Sequence, residues 1–165
     1  MLRFTTHMQE GISMSLDQNK AIVQRILSEF WQNGNVAVLD ELLAPDCVNH
    51  EQSNPELRGK EACKQWATDV RMANRQGFPD FDITVEDMVA EDDKVVKRWV
   101  FQGTHSGEFA GVPPTGKRVT MRGITLYHLS GGKVSEIYWN YDVFGLLQQL
   151  GAIPAPGQQP AGVSA

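Results

Sequence analysis

The stretch Val134-Ser135-Glu136-Ile137-Tyr138-Trp139-Asn140-Tyr141-Asp142, running straight into Val143-Phe144-Gly145-Leu146-Leu147-Gln148-Gln149-Leu150, decides the fold. Its first half has the β-branched and aromatic content of a strand, and its second half carries the Leu146, Leu147, Leu150 cluster of a short helical turn. The strand therefore ends on an acid. A buried carboxylate is costly unless something pairs with it, so Asp142 is the first candidate for a functional residue.

Working backwards, Phe81 to Ala90, Lys94 to His105, Lys117 to Leu129 and Lys133 to Val143 read as strands. Glu91-Asp92-Asp93, a Gly/Pro loop and Ser130-Gly131-Gly132 separate them, and an antiparallel meander is the simplest arrangement. Further upstream the period changes to helical. Ile22, Val23, Ile26, Leu27, Phe30 and Trp31 share one face of a helix that Asn33-Gly34 ends. Val36, Leu39, Leu42 and Leu43 make a shorter helix closed by Pro45, and Cys47 to His50 is a short extended piece. A third helix runs from Arg58 to about Asn74, with Ala62, Trp66, Val70 and Ala73 on one side. Helices followed by a sheet make the class α+β, with the helices covering one face of a curved sheet. Residues 1–16 read as a flexible arm, with Met8 and Met14 as alternative starts, 17–151 as one domain, and 152–165 as a disordered tail.

Composition narrows the function. A chain of 165 residues with 41% hydrophobic content can bury one sizeable core. A net charge of −5 and a pI near 5.3 supply no basic face for nucleic acid or an anionic membrane, so the expected ligand is small. Trp31, Trp66, Trp99 and Trp139 then read as core or interface, not as a base-stacking platform. Cys47 and Cys63 fit no disulfide framework or zinc spacing and read as buried free thiols in a reducing, cytoplasmic compartment. The N-terminal residues lack the apolar run of a secretory signal. Gly111-Val112-Pro113-Pro114-Thr115-Gly116-Lys117 mimics a phosphate-binding loop, but Arg118 replaces the Ser/Thr and a strand follows where a helix is needed. The histidines show no metal-ligand spacing, so no metal is expected.

The last hairpin assigns residues to faces. With a three-residue Ser130-Gly131-Gly132 loop, Leu129 pairs with Lys133. Asp142, Asn140, Tyr138 and Glu136 then share a face with Thr120, Arg122, Ile124, Leu126 and His128. Ile137, Trp139, Tyr141 and Val143 lie opposite, with Met121 and Tyr127. The first face, mixing apolar and ionisable groups, reads as a pocket wall. The second reads as a surface that another element or a second subunit must cover. A two-residue Gly131-Gly132 turn would put His128 on the other side.

The run from Gly103 to Lys117, with Gly132 to Asp142 and Leu146 to Gly151, resembles the SnoaL-like polyketide cyclases, or ester cyclases, over about Asn19 to Gly151. The resemblance implies the cone-shaped α+β fold of ketosteroid isomerase and nuclear transport factor 2. About three N-terminal helices pack on the concave face of a mostly antiparallel sheet, and a pocket lies between them. It further implies that Asp142 is the general acid/base of an intramolecular aldol ring closure, that His128 assists, and that His50, in the segment Val48-Asn49-His50-Glu51, is a pocket residue along with Asn49. Arg122, Asn140, Tyr138 and His105 complete the expected substrate contacts.

Aldol closure removes a proton alpha to a carbonyl and protonates the acceptor oxygen, so a carboxyl of suitable pKa suffices and no cofactor is needed. Arg122 beside Asp142 would hold that carboxyl ionised, as a base. Each residue also has a structural explanation. Asp142 could cap the turn at Gly145 or pair with Arg122, His50 could satisfy backbone groups, and His105 and Glu108 could be exposed loop residues. The expected protein is a homodimer or larger oligomer, joined through the outer sheet face and acting on a small hydrophobic carbonyl compound. The alternatives are epoxide opening by an Asp-Arg-Asp network, and a non-catalytic carrier of a hydrophobic metabolite.

Overall fold

The apolar stripe from Ile22 to Trp31 forms one continuous helix, which begins as α1 (Leu16–Arg25) and widens into a π-helical stretch over Ile26–Gln32. The computed structural model describes residues 15–51 and 56–154, so the expected arm and tail lie outside them apart from their inner ends. Ser15 caps α1 reciprocally with Gln18, satisfying two otherwise orphaned donors. Then follow α2 (Ala37–Leu42), β1 (Leu43–His50), β2 (Leu57–Arg58) and α3 (Lys60–Gly77). The long strands are β3 (Asp82–Glu91), β4 (Lys94–Thr104), β5 (Arg118–Ser130) and β6 (Lys133–Tyr141), and α4 (Val143–Leu150) ends the fold. None of the described helices is long and apolar enough to cross a membrane.

The six strands form one mixed sheet in the order β2-β1-β6-β5-β4-β3, with the helices on its concave face. The fold is thus the α+β cone. Two details depart from the sequence reading. Leu43, assigned to the second helix, opens β1, and Pro45 sits inside that strand. Pro45 is tolerated because the β1–β6 register shifts between Leu43 and Val48, where no regular ladder donor is required. In addition, β1 runs parallel to β6, so the sheet is a meander with a parallel strand added at its edge.

The hairpin register also differs. Ser130 pairs with Lys133 across a two-residue Gly131-Gly132 turn, both glycines having positive φ, as a primed turn requires. A bulge then follows: Leu129 pairs with Val134 but His128 pairs with Glu136, so Ser135 is an extra residue. The Ser135 hydroxyl donates to the His128 carbonyl oxygen at 3.2 Å. Turn and bulge each shift the side-chain parity once and cancel. The sets of residues sharing each face are therefore those expected, reached by a different register.

The core decides which set lies inside. Val134, Ile137, Trp139, Tyr127 and Leu129 are buried against the helices, whereas Asn140, Arg122 and Ile124 are exposed. The large apolar face is the covered one, and the mixed face is the outer surface. This reverses the sequence reading of the mixed face as a pocket wall.

Gly123 allows the inner layer to close. A Cβ there would lie 2.4 Å from Trp99 Cζ2 and 2.8 Å from the Asn140 carbonyl oxygen. Gly123→Ala should therefore displace the Trp99 indole and cost about 1–3 kcal/mol. Urea unfolding followed by tryptophan fluorescence checks this.

Candidate functional site

Between the sheet and α3 lies a cavity of about 250 Å³, just below the ~300–1,000 Å³ typical of small-molecule sites, so it suits a compact ligand. All four tryptophans of the chain line it. Two of them use their polar ends elsewhere: Trp139 Nε1 donates to Asn49 Oδ1 at 2.7 Å, and Trp99 Nε1 donates to Thr125 Oγ1 at 2.9 Å. With these N–H groups satisfied in the core, these two indoles turn apolar surface to the cavity. Trp66, Val70 and Ala73 of α3 form the roof, as their helical spacing predicted. The Gly/Pro loop after β4 adds Phe109, and α4 adds Val143 and Leu146.

Polar groups on the wall are few. The Tyr141 hydroxyl donates to Glu51 Oε1 at 3.0 Å, and burial, reinforced by the Glu51 charge, pushes its pKa up to about 12. Lys97 of β4 stands out. It is 2% exposed and lines the cavity, flanked on the same strand face by Val95, Trp99 and Phe101. Among the described residues its amine has no hydrogen bond or ion pair; its nearest electrostatic partner is the face of Tyr127, 5.3 Å from the ring centroid. Desolvation alone lowers its pKa to about 7. The sequence reading missed Lys97, although its signal was present. In Val95-Val96-Lys97-Arg98-Trp99-Val100-Phe101 the alternation puts Lys97 in phase with the buried residues.

The expected site residues are brought together only in part. His50, His128 and Tyr138 do meet, but on the outer face, around Glu136. His50 Nε2 lies 3.2 Å from Glu136 Oε2, the Tyr138 hydroxyl donates to that same oxygen at 2.6 Å, and His128 Nδ1 lies 3.9 Å from Oε1. The His50 and Tyr138 rings stack at 4.1 Å. Tyr138, and after it His50, hold the Glu136 carboxyl below the usual carboxylate range. Arg122 and Asn140 lie further along this outer face, both exposed. Asn49 points inward, as the anchor of Trp139.

His105 is fully buried, unlike the exposed loop residue its sequence context allowed, with Nδ1 accepting from the Thr115 amide at 3.2 Å. Asp142 is exposed at the start of α4, where its carboxylate accepts from the Gly145 amide at 2.7 Å. Its own amide donates to the Arg122 carbonyl oxygen at 3.1 Å, but no ion pair joins the two side chains, so the Asp-Arg-Asp network of the epoxide alternative is not assembled among the described residues. Asp142 thus performs the capping role weighed for it. Its chain neighbours Tyr141 and Val143 line the cavity; its carboxylate is not part of the lining.

Residues 21–150 match the family model of SnoaL-like polyketide cyclases. The chain belongs to that family. It is 30% identical over 116 residues to the aklanonic acid methyl ester cyclase DauD of Streptomyces sp. (strain C5), covering 69% of this chain and 67% of that enzyme. A crystal structure assigned as a SnoaL-like polyketide cyclase, from Jannaschia sp. CCS1, superposes with a TM-score of 0.73 at 30% identity, over 87% of this chain and all of that one. AclR of Streptomyces galilaeus, assigned as a hydroxylase, gives 0.72 at 28% identity over 86% and 85% of the two chains.

For this SnoaL-like chain the buried amine has a thermodynamic signature. Because the folded-state pKa of Lys97 lies near 7 and that of an unfolded lysine near 10.4, the unfolded chain binds more protons between those values. Stability therefore rises with pH across that window, and the burden of the buried amine is greatest below pH 7. Lys97→Met keeps the volume and removes the amine. It should stabilise the protein by an amount on the order of 4 kcal/mol at pH 6, shrinking towards zero near pH 10. Chemical denaturation of both proteins across that range measures the difference.

Proposed function

We propose that this chain is a cofactor-independent cyclase of the SnoaL-like class, performing acid/base carbon chemistry on a compact, mostly apolar carbonyl compound held in the inner cavity. Lys97 carries the reading: it is an amine among aromatic walls, free of any carboxylate that would keep it protonated. An amine with a pKa of about 7 is substantially unprotonated at neutral pH, and in that form it can take a proton alpha to a carbonyl and return it to the developing alkoxide, the two transfers that ring closure needs. Aromatic walls position the substrate and exclude water, which adds to the contribution of proton transfer. Asp142 acts as a positioning residue: by capping α4 it holds Val143 and Leu146 against the cavity.

Solvent deuterium exchange into β-keto esters and 1,3-diketones tests this without the native substrate. Wild type should catalyse exchange with a rate rising through about pH 7, and Lys97→Met should lower it roughly 10²–10⁴-fold. Asp142→Asn, which retains a capping side chain, should lower it less than tenfold. Exchange lost in Asp142→Asn and kept in Lys97→Met would return the chemistry to Asp142. Quenching of the cavity tryptophans with no exchange would make the protein a carrier.

A further inference from the structure

The geometry points to Lys97 as a covalent amine catalyst, condensing with a ketone carbonyl of the bound compound to form an iminium and then an enamine. This rests on the cyclase reading above and names the group that activates the substrate. Lys97, on the covered face of β4, is among the residues lining the cavity, with its Nζ 5.3 Å from the centroid of the Tyr127 ring, and no cysteine lines that cavity beside it. The lining has no carboxylate, so nothing in the wall locks the amine as an ammonium ion or competes with a substrate for its lone pair. Glu51, outside the lining, accepts from the Tyr141 hydroxyl. Asn74 and Tyr141 also line the cavity and carry polar side-chain atoms. A desolvated amine of lowered pKa is the state in which lysine forms Schiff bases.

The step balances without an external oxidant or reductant. The Nζ lone pair forms a bond to the carbonyl carbon as the C=O π pair moves to oxygen. The carbinolamine then takes a proton on its hydroxyl from solvent and loses it as water, leaving the C=N bond of an iminium that keeps its N–H. Loss of the alpha proton to water gives the enamine. Its carbon attacks the second carbonyl of the same molecule, and the new alkoxide takes a proton back. Hydrolysis by one water, equal to the one released, frees the ring product and restores the amine. The net reaction is an isomerisation.

The probe is acetylacetone, which condenses with a neutral lysine to an enaminone plus one water. Wild-type protein should develop the near-ultraviolet enaminone band and gain the mass of one diketone less one water. Peptide mapping should place the adduct on Lys97 and not on the other six lysines, none of which is buried. The rate should rise through about pH 7, and the band should be absent from both Lys97→Met and Lys97→Arg. An adduct spread over surface lysines, or no adduct while acetylacetone quenches the cavity tryptophans, would overturn the covalent role. If Lys97-dependent deuterium exchange persists in that case, Lys97 is a non-covalent base and the cyclase reading stands; if exchange also fails, both fall.

Discussion

The placement of Ser135 as an extra residue in β6 fixes which side chains enclose the cavity, and most of the molecule follows from it. The two-residue turn at Gly131-Gly132 alone would send Trp139 and Tyr141 outward and leave Glu136 and Tyr138 in the core. The bulge moves Ile137, Trp139 and Tyr141 to the inner face, where they meet Tyr127 and the helices. A one-residue change of register inverts every side chain of a strand, so a bulge in this position cannot drift without exchanging core for surface. The alternative parity would bury a carboxylate and expose an indole.

From that inner layer the site follows by satisfaction of polar groups. Asn49 and Thr125 take the indole N–H groups of Trp139 and Trp99, Glu51 takes the hydroxyl of Tyr141, and what faces the cavity is mostly hydrocarbon and aromatic surface, with no charged side chain other than Lys97 in the lining. A lysine fully removed from water without a partner escapes most of the charging penalty by giving up its proton, so the environment that makes it costly also makes it a base and a nucleophile near neutral pH.

Much of the fold was legible in the sequence. The helical spacing of Ile22 to Trp31 and of Trp66, Val70 and Ala73, and the four long strands, appear within a few residues of their expected limits. The parallel pairing of β1 with β6 was not, because it joins segments some ninety residues apart with no local signature. The site was less legible. Alternation shows which residues share a face but not which face the helices cover, and a mixed face such as His128, Tyr138 and Asn140 resembles a reactive pocket as much as a solvated surface. Here the polar residues face solvent and the ligand space is built from tryptophans. Lys97 was hidden by its neighbour Arg98, since two adjacent cations read as surface until the alternation of Val95, Trp99 and Phe101 is applied to both.

The chemistry assigned to the inner cavity depends on Lys97 losing its proton near neutral pH. Titrating the Cε resonances of 13C-labelled lysine by NMR, with Lys97 assigned by its absence from Lys97→Met, tests it most directly. One lysine should titrate near pH 7, well below Lys64 and Lys94, which neighbouring carboxylates hold above the ordinary lysine value. A Lys97 resonance that titrates near pH 10, as an unperturbed lysine does, would rule that out.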